Sequence, residues 1–283
     1  MKTTHILLFV ALTLLTTSGC HRVAVPLPDH PRMADGVEIQ DMSLYSTALG
    51  RTMPYRVFLP TQHTACQALP VVYLLHGNWE NYRSWSNNSY VAQYARQGLV
   101  LVMPEGDSSY YVNAVKASSE KYRDYLTHDL IAGVEANFPV RKDRAGRAVV
   151  GVSMGGYGAV EYALARPDLF AFAGAISPAI DVPSRKFSWR HWNQGWRFRR
   201  IFGAVGSPEQ QALDPFVQIR TASPQAAPYL YISTGQNEPL PSRFTALLRS
   251  FMHEALLMSI TRSPAATTGT NGTRRSPDAL RSC

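Results

Sequence analysis

The chain has 283 residues, of which 45% are hydrophobic and 17% are charged, and its formal net charge is +8. A chain of this length and composition can bury one full hydrophobic core, so we predict a single folded domain. The composition excludes a disulfide framework because three cysteines are too few, and no bridge is predicted between Cys66 and Cys283.

The first 36 residues are predicted to lie outside that domain. Lys2 precedes an apolar run over residues 6–15, which is short for a membrane span, and small residues then lead to Cys20. This stretch resembles a bacterial lipoprotein leader, although Thr17 stands where the lipobox usually has leucine. The resemblance implies that residues 1–20 are a signal peptide and that Cys20 is the site of lipid attachment to a membrane; an ordinary secretory signal and a retained anchor are the alternatives. Each of them exports the domain to the periplasm or the cell surface, and residues 21–36 form a linker.

The remaining sequence alternates between strand and helix patterns. Residues 37–59 alternate between apolar and polar side chains around a turn at Gly50, which predicts an antiparallel hairpin. Short, continuously apolar runs, typical of strands buried on both faces, follow at residues 69–75, 99–103, 147–152, 172–176 and 229–233. Helical patterns lie at about residues 90–97, 119–138, 155–166 and 242–258. The alternation predicts an α/β fold for residues 37–258, with a mostly parallel central sheet flanked by helices and an N-terminal antiparallel hairpin.

One loop between a strand and a helix contains the motif G-x-S-x-G, at Gly151, Ser153 and Gly155. In such a motif the serine sits on a tight turn at the end of a strand, and the glycines leave room for strand, turn and helix to pack closely. The motif therefore predicts Ser153 as a catalytic nucleophile. A glycine-rich turn without a catalytic role is the alternative.

Several segments, taken in order, resemble the esterase family of α/β-hydrolases that includes tributyrin esterases, S-formylglutathione hydrolases, feruloyl esterases and antigen 85 mycolyltransferases. They are residues 74–77, 151–158, 166–170 and 177–181. The resemblance covers about residues 37–249 and implies the α/β-hydrolase fold. It also implies an oxyanion hole formed by the backbone N–H groups of Asn78 and Met154, and a catalytic acid after the strand at residues 229–233. Glu238 stands there, with Asp181 as the alternative.

The catalytic histidine of the family has no counterpart at the expected place. Relatives end with a sequence similar to G-H-D-W, whereas this chain has only His253 after Glu238, inside an apolar helical pattern. His76 precedes the nucleophile, and the triad of this fold runs serine, acid, histidine, so we expect its ring to support its loop. Glu105 and Asp107 also come too early for the acid and are expected at the pocket rim.

A reading frame shifted by two nucleotides can restore the missing ending. Codons allowed for residues 259–272 also spell Y-H-A-V-P-G-G-H-D-W-N-Q-W in the shifted frame. Each shifted residue has two of its three bases fixed by the sequence as it stands, so agreement over this length would be rare by chance. We hypothesise that a frameshift near Ala255 replaced the last strand, the histidine loop and the final helix, and that residues 259–283 are an irregular, out-of-frame tail.

A cluster of cationic and aromatic side chains lies between residues 185 and 200. Its members are Arg185, Lys186, Arg190, Arg197, Arg199 and Arg200, with Trp189, Trp192, Trp196 and Phe198. Such a cluster can indicate a nucleic-acid or anionic-membrane surface. The interpretation that we favour is a solvated helical face whose aromatic side chains pack inward. The resemblance adds a third, a lid-like segment whose tryptophans line an acyl or aryl pocket.

Residues and resemblance together predict an exported, lipid-anchored serine carboxylic-ester hydrolase that forms an acyl-enzyme on Ser153. Without the histidine, Ser153 keeps its proton at neutral pH, so this chain is expected to be impaired. The alternatives are an acyltransferase of the mycolyltransferase type and a non-catalytic, lipid-anchored binding protein. We expect a small-molecule or glycan ester as substrate and no nucleic acid partner. No metal or nucleotide cofactor is implied, because the sequence has no H-E-x-x-H motif, no cysteine pair and no G-x-G-x-x-G after a strand.

Overall fold

In the computed structural model, an eight-stranded sheet runs through the described residues, which are 28–63, 67–187, 192–223, 226–235, 242, 245 and 258–263. The strands are β1 (Val37–Ser46), β2 (Arg51–Pro60), β3 (Val71–Leu75), β4 (Val100–Pro104), β5 (Arg147–Val152), β6 (Phe172–Ile176), β7 (Tyr229–Gly235) and β8 (Met258–Ser263). Their order across the sheet is β1-β2-β4-β3-β5-β6-β7-β8. The pairs β1·β2 and β2·β4 are antiparallel, and every later pair is parallel. The predicted hairpin and mostly parallel sheet are confirmed.

The helices lie between the strands, as an alternating α/β chain requires. They are α1 (Ser84–Asn88), α2 (Ala92–Ala95), α3 (Tyr122–Asp124), α4 (Ile131–Asn137), α5 (Met154–Ala165), α6 (Trp192–Phe202), α7 (Pro208–Ala212) and α8 (Pro215–Thr221). A π-helical turn, Tyr125–Leu130, joins α3 to α4, so the helix predicted at residues 119–138 is one segment with an irregular middle. The helix predicted at residues 242–258 falls almost wholly outside the described residues.

Both faces of the sheet are covered. Tyr73 of β3 belongs to a large hydrophobic cluster that includes Val160 of α5, whereas Leu74 belongs to a smaller cluster that includes Ala92 of α2. Successive side chains of a strand point to opposite faces, so the two clusters lie on opposite sides of the sheet. This double burial is the physical reason why the central strands are apolar throughout.

The structure corrects the prediction for the residues that follow position 258. Met258–Ser263 pairs in parallel with β7, whereas the sequence pattern predicts an irregular tail from residue 259 and the loss of the last strand. A parallel ladder uses backbone N–H and C=O groups, which all residues except proline supply, and β-branched residues such as Ile260 and Thr261 favour strands. Residues 264–283 of the predicted tail lie outside the described residues.

The predicted leader, residues 1–20 with Cys20, and the first part of the linker also lie outside the described residues. Within the part of the chain that is described, no helix is long and apolar enough to cross a bilayer. The leader and its lipid therefore stay predictions. The linker prediction is wrong for its described part, because residues 28–36 lie against the domain: Asp29 pairs with the buried Arg56 at 2.6 Å, and Arg32 N donates to Ser86 O at 2.8 Å.

Candidate active site

Ser153 occupies the junction between β5 and α5 in a backbone conformation that few side-chain-bearing residues adopt. Its φ is 52° and its ψ is −108°. Hydrogen bonds fix the residue from both sides: its N–H donates to Ile176 O at 2.9 Å, and its carbonyl accepts from Tyr157 N at 2.9 Å and from Ala179 N at 3.1 Å. Strain of this kind persists only when the surroundings impose it, and it concentrates at functional sites.

Two glycines allow the strand, the turn and the helix to meet. A Cβ atom on Gly155 would lie 2.2 Å from the carbonyl oxygen of Leu75, the last residue of β3. A Cβ on Gly151 would lie 2.2 Å from the backbone of Gly155. Neither position has space for any side chain, so the beginning of α5 is pressed against the end of β3. The glycines thereby bring Ser153 next to the loop that follows β3.

The two predicted oxyanion donors lie at this same edge of the sheet. β3 and β5 are neighbours, with Leu75 opposite Gly151, so Asn78 and Met154 follow adjacent strand ends. Met154 is the first residue of α5, where backbone N–H groups lack an acceptor within the helix and the helix dipole favours negative charge. Neither the Asn78 nor the Met154 N–H has an acceptor among the described residues. Both are thus available to a ligand oxygen, and their catalytic role stays a prediction.

His76 supports the loop, as expected. Its side chain is buried, its Nδ1 lies 2.8 Å from Gly77 O, and Gly106 N donates to its Nε2 at 2.9 Å. The Nε2 atom also lies 3.1 Å from Glu105 Oε1, so each ring nitrogen has polar partners within the two loops. Both ring nitrogens are therefore occupied, and His76 is unsuited to take a proton from Ser153.

The two early acidic residues differ in position. The Glu105 carboxylate accepts hydrogen bonds from Asp107 N at 2.8 Å and from Tyr82 N at 3.3 Å. It therefore stabilises the loop after β4 and joins it to the segment that follows β3. Asp107 is more exposed and pairs with Arg51 and Tyr122 through its carboxylate. The backbone N–H groups around Glu105 hold its side chain in the loop, and the rim position expected for both residues stays a prediction.

The structure does not test the predicted catalytic acid. Glu238 and His253 lie outside the described residues, as does Cys20. The alternative acid Asp181 forms an ion pair with Arg185 at 2.7 Å. Among the residues that the structure describes, none forms a hydrogen bond with the Ser153 hydroxyl. The assignment of Glu238 as the acid consequently stays a prediction.

Arg197 of α6 is a site residue that the sequence pattern grouped only with the surface cations. Its Nη2 donates to Asn78 Oδ1 and to Ser108 O, each at 2.9 Å. Its guanidinium also lies 4.8 Å from the centre of the Trp79 ring, a cation–π distance. Burial lowers the pKa of Arg197, which forms no ion pair within the described part of the chain. Arg197 thus ties α6 to the loop that carries a predicted oxyanion donor.

The other side chains of α6 correct one expectation. Phe198 packs inward against Tyr110 and Phe202, as predicted. Trp192 and Trp196 do not, because they are 73% and 63% exposed. The face of α6 that meets the domain is filled by phenylalanines, which leaves the tryptophans on the outer face. Trp189 and Arg190 lie outside the described residues.

Comparison with known proteins identifies the family. Residues 46–254 match the family model described as "Putative esterase". The chain belongs to this esterase family. Among its curated relatives are the diacylglycerol acyltransferase/mycolyltransferase Ag85B of Mycobacterium leprae (strain TN), 28% identical over 65% of this chain and 59% of the relative, and the acetyl esterase of Caldicellulosiruptor saccharolyticus, 22% identical over 77% and 87%. The chain thus spans less than two thirds of the length of the Ag85B relatives that it matches.

Solved structures of esterase-family proteins share the fold. The substrate-bound fluorophosphonate-binding serine hydrolase F of Staphylococcus aureus aligns with a TM-score of 0.69 at 22% identity, over 82% of this chain and 92% of that structure. An S-formylglutathione hydrolase from Agrobacterium tumefaciens aligns with a TM-score of 0.66 at 20% identity, over 82% and 89%. The esterase family of this chain therefore has the predicted α/β-hydrolase fold.

Proposed function

We propose that this member of the esterase family is a serine carboxylic-ester hydrolase that works through an acyl-enzyme on Ser153. The observation that carries the proposal is the constrained backbone of Ser153, at the sheet edge where the N–H groups of Asn78 and Met154 have no acceptor in the described part of the chain. The Ser153 oxygen attacks the ester carbonyl carbon, and the carbonyl oxygen gains negative charge. The N–H groups of Asn78 and Met154 stabilise that charge; one such donor typically contributes about 3 kcal/mol to the barrier reduction.

The remaining steps need a base. In an intact relative, a histidine takes the Ser153 proton and gives it to the leaving alkoxide, and water then releases the acid from the acyl-enzyme. We assign Glu238 to orient that histidine. We propose that this chain lacks the histidine because of a frameshift near Ala255, and the family match, which ends at residue 254, supports this assignment. Loss of one triad member typically leaves an acceleration of about 10³ to 10⁴ over water.

Two experiments test the base and the nucleophile separately. The nucleotide sequence from the Glu254 codon onward, read two nucleotides later, is expected to encode G-H-D-W; any other sequence ends the frameshift proposal. The chain with the restored frame is expected to react rapidly with a fluorophosphonate and to hydrolyse p-nitrophenyl esters, and Ser153→Ala is expected to abolish both activities. Hydrolysis that survives Ser153→Ala would contradict the assigned nucleophile. Rapid, stoichiometric labelling of the chain as it stands would instead return His253 as the base.

An acyltransferase is the second candidate function, and the Ag85B relatives favour it. In that reaction an alcohol on a sugar or lipid, in place of water, accepts the acyl group from Ser153. Incubation of the restored chain with a p-nitrophenyl ester and a competing alcohol separates the two, because transfer yields a new ester and hydrolysis yields free acid alone. A non-catalytic binding protein would give neither product. The acetyl esterase relative and the ferulic acid esterase neighbours support a small-molecule or glycan ester as substrate.

We propose export and lipid attachment at Cys20 on the basis of the leader sequence. Growth of a bacterial host with radiolabelled palmitate is expected to label the wild-type chain and not Cys20→Ser. Labelling of the serine variant would rule out attachment at Cys20. A secreted, unlabelled wild-type chain would indicate an ordinary secretory signal.

A further inference from the structure

An open depression of about 730 Å³ lies along α6. Its lining includes Lys186, Trp192, Trp196, Arg199 and Val205, which we call the α6 surface. The acyl-transfer chemistry assigned to Ser153 uses none of these side chains. A binding role separate from that reaction is therefore considered for the α6 surface.

The apolar part of the α6 surface is unusually exposed. Trp192 is 73% exposed, Trp196 is 63% exposed, and Val205 is 45% exposed. Residues four apart on a helix lie on the same face, so the two indole rings project side by side. Large apolar side chains that cluster in water, bordered by polar groups, mark sites of interaction.

The charged part of the α6 surface has one sign. Lys186 and Arg199 form no ion pair with any described residue, and Arg185 beside them is 44% exposed although it pairs with Asp181. Within the described residues, no carboxylate lines the depression, and α6 itself contains no acidic residue. The surface therefore offers unneutralised positive charge next to indole rings.

The exposed indole rings and the cations of the α6 surface fit an anionic lipid bilayer better than a second protein chain. Tryptophan concentrates at the boundary between lipid headgroups and acyl chains, where its ring is apolar and its N–H remains hydrated. Lysine and arginine near an anionic bilayer each contribute about fivefold to binding. A second copy that docked through the same surface, as in a symmetric dimer, would place Lys186 and Arg199 against like charges, which opposes association.

We propose that the α6 surface docks on a bilayer containing anionic phospholipid, with Trp192 and Trp196 at the acyl-chain boundary and Lys186 and Arg199 on the lipid phosphates. This docking does not depend on the reaction at Ser153, and Ser153→Ala is expected to bind vesicles as the wild type does. It also differs from attachment at Cys20, because it requires anionic lipid.

The test uses the full-length chain and two kinds of vesicle, phosphatidylcholine alone and phosphatidylcholine with phosphatidylglycerol. The leader is present in every sample, so the readout is the extra binding that phosphatidylglycerol gives. Lys186→Gln/Arg199→Gln is expected to reduce this extra binding on the order of 30-fold, from about fivefold for each cation. In vesicles with brominated acyl chains, Trp192→Phe/Trp196→Phe is expected to lose most of the quenching of tryptophan fluorescence that the wild type shows.

Matched controls remove the same chemistry elsewhere. Lys121→Gln/Lys142→Gln removes two exposed cations outside the α6 surface, and Tyr45→Ala removes an aromatic side chain that is 65% exposed on β1. Both controls are expected to bind as the wild type does. Equal binding to the two vesicle types, or equal losses in the control and the Lys186/Arg199 variants, would overturn the proposal. The proposal would also be overturned if the chain bound duplex DNA more tightly than anionic vesicles and Lys186→Gln/Arg199→Gln lost that DNA binding.

Discussion

Substitution of Gly155 by alanine tests whether close packing at the elbow positions Ser153. The new Cβ would lie 2.2 Å from Leu75 O, where ordinary contact begins at 3.4 Å, so α5 must move by roughly 1 Å. The obstacle is the backbone of a central strand, which cannot turn aside as a side chain can. Overpacking of this kind costs about 1 to 3 kcal/mol, and the higher helix propensity of alanine offsets about 1 kcal/mol at most. We expect Gly155→Ala to lower the free energy of unfolding by about 1 to 2 kcal/mol.

Gly133→Ala is the matched control, because Gly133 also lies inside a helix, α4. Its added Cβ would meet only Leu44 Cδ2 at 3.4 Å, an ordinary contact, so this variant is expected to gain about 0.5 to 1 kcal/mol. Urea unfolding followed by tryptophan fluorescence measures both changes. Fluorophosphonate labelling of the restored-frame chain is also expected to slow for Gly155→Ala, because α5 carries Met154. A Gly155→Ala variant as stable as the wild type would refute the reasoning.

Two further substitutions test charges and hydrogen bonds around the site. Glu161 of α5 is fully buried, and desolvation raises its pKa although the ion pair with Arg123 opposes the shift. Arg123→Met is therefore expected to cost about 3 to 5 kcal/mol at pH 8. Without Arg123 the pKa of Glu161 rises further, and a raised folded-state pKa favours folding at low pH. The loss of stability is therefore expected to be smaller at pH 5 than at pH 8 in thermal unfolding. An equal loss at both pH values would contradict this. His76→Ala removes the ring's hydrogen bonds to Gly77 and Gly106 and is expected to cost about 1 to 3 kcal/mol and to slow labelling of Ser153, whereas His128→Ala, at an exposed position, is expected to change neither.

The sheet was predictable because its signals are local. β5 and β6 coincide with apolar runs that end at a glycine-rich turn and a serine–proline loop, so the pattern sets their bounds. β8 was not predictable in the same way. Its pairing with β7 uses backbone groups, and residues 258–263 lack the continuously apolar run by which the central strands are recognised. A tail judged irregular by its side chains can still extend a sheet.

The site residues also differ in whether a local sequence pattern predicts them. Ser153 and its glycines fall within five consecutive residues, so one motif describes the turn, the close packing and the first residue of α5. The contact between Arg197 and Asn78 joins residues 119 positions apart, and no local pattern encodes it. Trp192 and Trp196 show a related limit: apolar character predicts a tendency to be buried, but the fold decides which face of a helix finds a partner.

The contact between Arg197 and Asn78 sets a limit for protein engineering. Arg197 holds the loop after β3 from a helix whose outer face carries Trp192 and Trp196. A designer who exchanges α6 for the corresponding helix of another esterase would therefore also remove a support of the loop that contains Asn78. Libraries that vary the outer face while keeping Arg197 and Phe198 fixed would alter what the surface recognises without loosening that loop.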